Sequence, residues 1–244
     1  MSSSSYSRSG SSTSASGVSV KSSPDDQTRI NDADGSGRSI RLAVFDLDYT
    51  IWQPEMYQLY GNPRLVKAEG HKLSAIEKHE TRTTEEDKII TDKSGTPIRV
   101  FSGASYALAD IHRLREEGYE IQAAVASRTD EPDWAFFCMR HLAVKVQGRK
   151  GGNAQELITL LDCFGSGSMK KNPLIQISYQ DKTHHFKRLH QATGIPYEDM
   201  VFFDNENWNI RSVSKLGVKC IYTPDGMQKK HWDQAKKAFG MECA

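Results

Sequence analysis

The sequence predicts an α/β fold built on an open, doubly wound parallel sheet. Three observations carry that prediction. Short apolar runs with no helical period recur along the chain, segments with apolar residues at helical spacing lie between them, and the alternation continues from residue 40 to residue 222. A helical crossover returns the chain to the same end of a sheet, so such strands pair in parallel and both faces become covered.

In chain order, "IRLAVF" (40–45) is a strand buried on both faces. Residues 53–100 break the rhythm, being polar, rich in charge and weakly periodic only around "EGHKLSAIEKHE" (69–80). They read as an insertion over the sheet edge, long enough for a flap or short helix and too short for an independent domain. "SYALADIHRLREEG" (105–118) puts Ala107, Leu108, Ile111 and Leu114 at helical spacing, with Gly118 as its cap. "YEIQAAVA" (119–126) is a second buried strand, and "EPDWAFFCMRHL" (131–142) a helix with proline in its first turn. "NAQELITLLDCFG" (153–165) is expected as a helix capped by Asn153 and stopped by Gly165. The strands "LIQISY" (174–179), "MVFF" (200–203) and "VKCIY" (218–222) then alternate with the helices "KTHHFKRLHQATG" (182–194) and "NIRSVSKLG" (209–217). "KKHWDQAKKAFG" (229–240) reads as a terminal helix packed on the sheet through Trp232 and Phe239.

The 244 residues suffice for one substantial core. Residues 1–38 stand apart: thirteen serines fall in the first 23 positions and almost nothing is apolar. Such a segment buries too little surface to offset its ordering entropy, so a disordered tail is expected before a domain over 39–244. An organellar transit peptide is the alternative for that tail. A net charge of +1 gives no global field for nucleic acid or an anionic membrane. Cys138, Cys163, Cys220 and Cys243 stand far apart without a CxxC pair, which excludes a zinc ribbon and suits a reducing, cytoplasmic setting. No stretch approaches the ~18–20 apolar residues of a membrane span.

Ligands of open α/β sheets bind outside the carboxyl ends of the strands. Four strands end there in polar groups: Asp46 and Asp48 after 40–45, Ser127 and Arg128 after 119–126, Lys182 after 174–179, and Asp204, Asn205 and Glu206 after 200–203. Paired carboxylates tolerate each other when a cation neutralises them. Oxygen ligands of this kind suit Mg²⁺, which keeps sites open for a substrate phosphate. Ser127, Arg128 and Lys182 add hydroxyl, guanidinium and ammonium donors for phosphate oxygens. Lys182 opens a helix, where the dipole disfavours a cation, and that mismatch points to an anionic partner. Acids, metal and phosphate cradle together amount to phosphoryl-transfer chemistry.

The motifs "DLDYT" (46–50), "ASRT" (126–129), "QDKTHHF" (180–186) and "FFDNE" (202–206) resemble, in order, the four motifs of the haloacid dehalogenase superfamily. The match is closer to its small magnesium-dependent phosphatase-1 family, through "LAVFDLDYTIW", "KTHHFKRLHQATGIPYEDMVFFDNE" and "NIRSVSKLGVKCIYTPDGM". The resemblance spans roughly 40–227 apart from the insertion. It implies that Asp46 is a nucleophile forming an aspartyl-phosphate and Asp48 the general acid and then base. It implies a Mg²⁺ held by Asp46, the Asp48 carbonyl, Asp204 and Asn205, and a phosphoryl group held by Ser127, Arg128, Lys182 and the backbone N–H groups of Leu47 and Asp48. An acid at Asp48 favours rapid turnover, and the lack of a large cap favours a phosphatase over a mutase. The implied substrates are phosphotyrosine-like, sugar or glycated-amine phosphate monoesters, turned over by a monomer.

This chain departs from the family at two places. Asn205 stands where a second aspartate is usual, and the aromatic residue expected shortly after Trp52 is replaced by "WQPEM", with Glu55 at that place. Glu55 disfavours an anionic leaving group. Glu206 reads equally as a third acid or a helix N-terminal charge, and Trp52 and Trp134 as site mouth or core. Thr50 reads as a residue bonding the loop backbone, and His184 and His185 as helix-surface or packing residues. A non-catalytic phosphate-binding or scaffold protein is the rival reading, supported by Asn205.

Overall fold

The computed structural model describes residues 38–148, 155–165 and 172–241. The serine-rich tail through residue 37, Asn153 and Cys243 lie outside the described residues. The elements in chain order begin with β1 (Leu42–Phe45), β2 (Trp52–Gln53), β3 (Arg64–Lys67), α1 (Ala75–Glu80), β4 (Lys88–Thr91) and β5 (Arg99–Val100). They continue with α2 (Ser102–Glu116), β6 (Gln122–Ser127), α3 (Pro132–His141), β7 (Ala143–Gln147), β8 (Gln155–Thr159) and α4 (Leu160–Cys163). The last are β9 (Ile175–Ile177), α5 (Lys182–Thr193), β10 (Met200–Asp204), α6 (Asn207–Ser214), β11 (Lys219–Tyr222) and α7 (Lys229–Ala238).

Five of these strands form one parallel sheet in the order β11-β10-β1-β6-β9. From β1 the chain steps outward through β6 to β9, then returns to the other side of β1 for β10 and β11. The strand order therefore reverses between β1 and β10, the switch point at which such sheets open a crevice. β1 is buried along its whole length. Ala43 and Phe45 enter one apolar core, and Leu42 and Val44 the other, on opposite faces. The Phe45 ring stacks on Phe203 of β10 at 5.1 Å, which fixes the two strands that bear the first and last motif.

The terminal helix packs as expected, with Trp232 fully buried and Phe239 nearly so. A polar clamp adds direction: Asp110 of α2 accepts from Trp232 Nε1 at 2.8 Å and from Lys236 Nζ at 2.9 Å. Gly103 permits the approach, since a Cβ there would stand 2.3 Å from the Gln228 backbone.

One element differs in kind from the sequence reading. Over its described residues, 155–165, the helix expected at 153–165 is instead β8, antiparallel to β7, followed by the single turn α4. Thr159, not Asn153, caps that turn, its side chain accepting from the Asp162 N–H at 3.0 Å. The apolar residues of "ELITLL" fit either period over so short a run, and the pairing partner β7 decides the outcome through contacts that spacing does not encode. The insertion holds the short helix α1 within 69–80, flanked by two antiparallel ribbons, β2 with β5 and β3 with β4.

Candidate active site

The chain leaves β1 through a tight loop. The Leu47 carbonyl accepts from the N–H groups of Thr50, Ile51 and Trp52, and Tyr49 adopts a left-handed conformation, φ 52°. That turn folds the chain back so that Asp46 and Asp48 both face the sheet edge. No backbone carbonyl of the described residues accepts the N–H of Leu47 or Asp48. Thr50 is buried, and its Oγ1 accepts from the Asn205 N–H at 3.1 Å, joining the loop after β1 to the loop after β10.

Lys182 is the first residue of α5, which Asp181 caps by accepting from the His184 N–H at 2.7 Å. Its side chain turns back beneath the sheet edge, only 2% exposed. The ammonium donates to Asp46 Oδ1 at 2.5 Å and to the Ala126 carbonyl at 2.6 Å, and pairs with Asp204 Oδ2 at 3.2 Å. The anionic partner that its position at a helix start demands is thus a pair of buried carboxylates. Those carboxylates hold the ammonium in its charged form and push its pKa up against the opposing effect of burial.

Two buried carboxylates face one ammonium, and Asp48 adds a third negative charge nearby. Burial raises the Asp46 pKa, Lys182 opposes, and repulsion from Asp204 and Asp48 adds to the rise. Asp48 is held differently: Trp52 Nε1 donates to its Oδ1 at 2.8 Å. Burial pushes its carboxyl up to about 6, against hydrogen bonds from Trp52 and the Met56 backbone, with repulsion from Glu55 adding to the rise. Trp52 is fully buried, so it belongs to the core and to the site at once. Trp134 is partly buried against the core.

A cavity of about 300 Å³ opens at this edge, lined by Asp46, Asp48, Ser127, Arg128, Lys182 and Asn205. The predicted residues therefore converge, with two distinctions. Leu47 is fully buried and offers only its backbone, and Asp204 stands behind Lys182, fully buried, without lining the cavity. Asp204 is fixed by the Glu206 N–H at 2.7 Å and by the amide of Asn209, which reaches its two oxygens at 3.2 and 3.0 Å. Asn209 also donates to Glu206 Oε2 at 2.9 Å, so Glu206 serves both as a helix-start acid and as part of this anchor.

Sequence reasoning missed Asn209, reading it as the first residue of a helix. The signal was present: an amide three residues after Glu206 and five after Asp204 lies in the first turn, within reach of both. It also missed Trp208, whose ring lies 4.8 Å beneath the Arg128 guanidinium. From the insertion, Glu55 and Tyr57 line the cavity mouth, as does Tyr179 after β9. His185 is buried and shares a 2.8 Å hydrogen bond with Ser178, a packing role; His184 is exposed on the helix.

Among the described residues no group of three or more His, Cys, Asp or Glu side chains is arranged to hold a metal. A cation at the cavity would use the Asp46 carboxylate with carbonyl or amide oxygens, and the Asp204 carboxylate would join it only on turning out from behind Lys182. Asn205 offers such an oxygen, 3.5 Å from Thr50 Oγ1. The excess of buried negative charge and the all-oxygen donor set fit a hard divalent cation. No described helix is long and apolar enough to cross a membrane.

The family model described as Acid Phosphatase matches residues 38–241, the insertion included. Magnesium-dependent phosphatase 1 of Homo sapiens is 33% identical over 199 residues, covering 82% of this chain and 86% of that protein. A HAD-like hydrolase superfamily protein of Schizosaccharomyces pombe is 29% identical over 182 residues, covering 73% and 82%. The crystal structure of a haloacid dehalogenase-like hydrolase from Xanthomonas campestris superposes with TM-score 0.46 at 17% identity, covering 85% of this chain and 94% of that one. The chain belongs to the acid phosphatase family.

Proposed function

We propose that this protein is a Mg²⁺-dependent phosphatase that hydrolyses phosphate monoesters through an aspartyl-phosphate on Asp46. The observation that carries the reading is the pairing of Asp46 with the buried Lys182 ammonium at 2.5 Å, at the floor of a cavity that Ser127 and Arg128 also line. A buried carboxylate held by a cation, next to a second acid turned aside on Trp52, separates nucleophile from acid. Lys182 binds Asp46 Oδ1, which leaves Oδ2 to attack phosphorus.

Asp48, pushed up to about 6, keeps its proton in weak acid and gives it to the leaving oxygen. The resulting carboxylate then takes a proton from the water that attacks the aspartyl-phosphate, releasing inorganic phosphate and restoring Asp46. Ser127, Arg128, Lys182 and the N–H groups of Leu47 and Asp48 hold the transferring oxygens. When bound by Asp46, the Asp48 carbonyl, Asp204 and Asn205, Mg²⁺ supplies charge that screens nucleophile from substrate and stabilises the transferring group. Exposed Tyr57 and Tyr179 at the mouth support aryl phosphates such as phosphotyrosine. Glu55 beside them supports neutral or cationic leaving groups, as in glycated-amine phosphates.

Release of phosphate from p-nitrophenyl phosphate tests this, with Mg²⁺ and with EDTA, in wild type and Asp46→Asn. Turnover that requires both the metal and Asp46 is expected. An inert wild type with ample Mg²⁺ favours a phosphate-binding scaffold, and Asn205→Asp is then the rescue to attempt.

A further inference from the structure

Away from the sheet edge, the insertion and the strands β7 and β8 line an open cavity of about 580 Å³, larger than the one at the active site and sharing no residue with it. Its polar lining is basic and comes from separate parts of the chain. Lys78 and His79 project from α1, Arg82 from the turn after it, and Lys145 from β7. Like charges gathered from different elements repel, and a fold normally answers them with acids.

Here three acids of the same segment are already engaged. Glu77 and Glu80 pair with Arg99 at 3.1 and 3.8 Å, and Glu85 pairs with Lys88 at 2.5 Å. Lys78, Arg82 and Lys145 have no ion-pair partner among the described residues, and Glu86 is the one acid in the lining. His79 registers the resulting field: burial, then Arg82 and Lys145, lower its pKa. His71 also lines the cavity, with its Nδ1 buried and without a hydrogen-bond partner. Leu73, Ile89 and Leu157 give it apolar walls.

We propose that this cavity is a second binding site, for a small organic polyanion: a compact body carrying two or more phosphate, sulfonate or carboxylate groups. The unpaired cations take the charged groups, and the apolar walls take the body. A single inorganic phosphate would leave most of the volume unfilled. The site does not depend on the catalytic reading, because none of its residues touches the reacting groups.

The test is calorimetric titration of the full chain with a naphthalene disulfonate, which a phosphatase cannot hydrolyse. Saturable binding to the wild type is expected. It should weaken about tenfold or more in Arg82→Gln/Lys145→Gln and remain within about twofold in Arg128→Gln at the active site. Histidine ring resonances of the wild type give a readout free of any folding defect, with shifts expected at His71 and His79. Absence of saturable binding, unchanged affinity in the double variant, loss in Arg128→Gln, or shifts only at other histidines would each overturn the proposal.

Discussion

The carboxyl edge of the parallel sheet and the insertion of residues 53–100 meet at one cavity, yet they present their side chains in opposite ways. Asp46, Ser127, Lys182 and Asp204 are 7%, 1%, 2% and 0% exposed, three at the ends of core strands and Lys182, from α5, bonded to the ends of three of them. Tyr57, from the insertion, is 66% exposed and stands on a short turn between two small ribbons. The sheet edge supplies fixed charge in a desolvated setting, which is what phosphoryl transfer requires. The insertion supplies contacts that can change without disturbing that charge. In the proposed function, chemistry and selectivity are built from regions of different exposure.

That contrast breaks most visibly at Asp46. Asp46→Asn should lower turnover by on the order of 10⁴ or more with circular dichroism unchanged. A surviving rate would remove the sheet edge from the chemistry. Asp48→Asn should cost about 10²–10⁴ in kcat/KM. The pH profile sharpens the point. Burial pushes the Asp48 carboxyl up to about 6, so its protonated, donating form persists to about that pH and is lost above it. kcat/KM should fall as pH rises through about 6 in wild type, and that limb should vanish in Asp48→Asn.

Stability provides the next comparison. Lys182→Met leaves Asp46 and Asp204 buried without their cation and should destabilise the fold by about 3–5 kcal/mol in urea unfolding. Lys229, 64% exposed in its pair with Asp233, should leave the unfolding transition nearly unaltered when changed to Met, because solvent screens that pair. The smallest effects belong to the insertion. Tyr57→Ala and Glu55→Gln should each change KM for an aryl phosphate about two- to tenfold and leave kcat nearly unaltered. A large fall in kcat would show that the insertion takes part in the chemistry itself.

The same division governs what was legible in the sequence. Each strand of the parallel sheet is a short apolar run bounded by helical spacing, so burial on both faces is written locally. Asp46, Ser127, Lys182 and Asp204 could be placed because they fall just after such runs or at their ends. The helix read over 153–165 is the misreading, since "ELITLL" suits two periods and only its pairing with Ala143–Gln147 decides between them. Asp204 could be assigned to the site but not to its place behind Lys182, which depends on how α5 and β10 pack. Glu55 was visible as a departure. Tyr57 and Tyr179 at the mouth and Trp208 beneath Arg128 were not, because they come together from distant parts of the chain.

The account rests on a covalent intermediate at Asp46. The direct measurement is a rapid acid quench during turnover of p-nitrophenyl phosphate with Mg²⁺, followed by borohydride reduction and peptide mass spectrometry. The account predicts that residue 46 is recovered as homoserine, the reduced aspartyl-phosphate, only when both substrate and Mg²⁺ are present. Turnover at full rate in a protein whose Asp46 is never modified would contradict it.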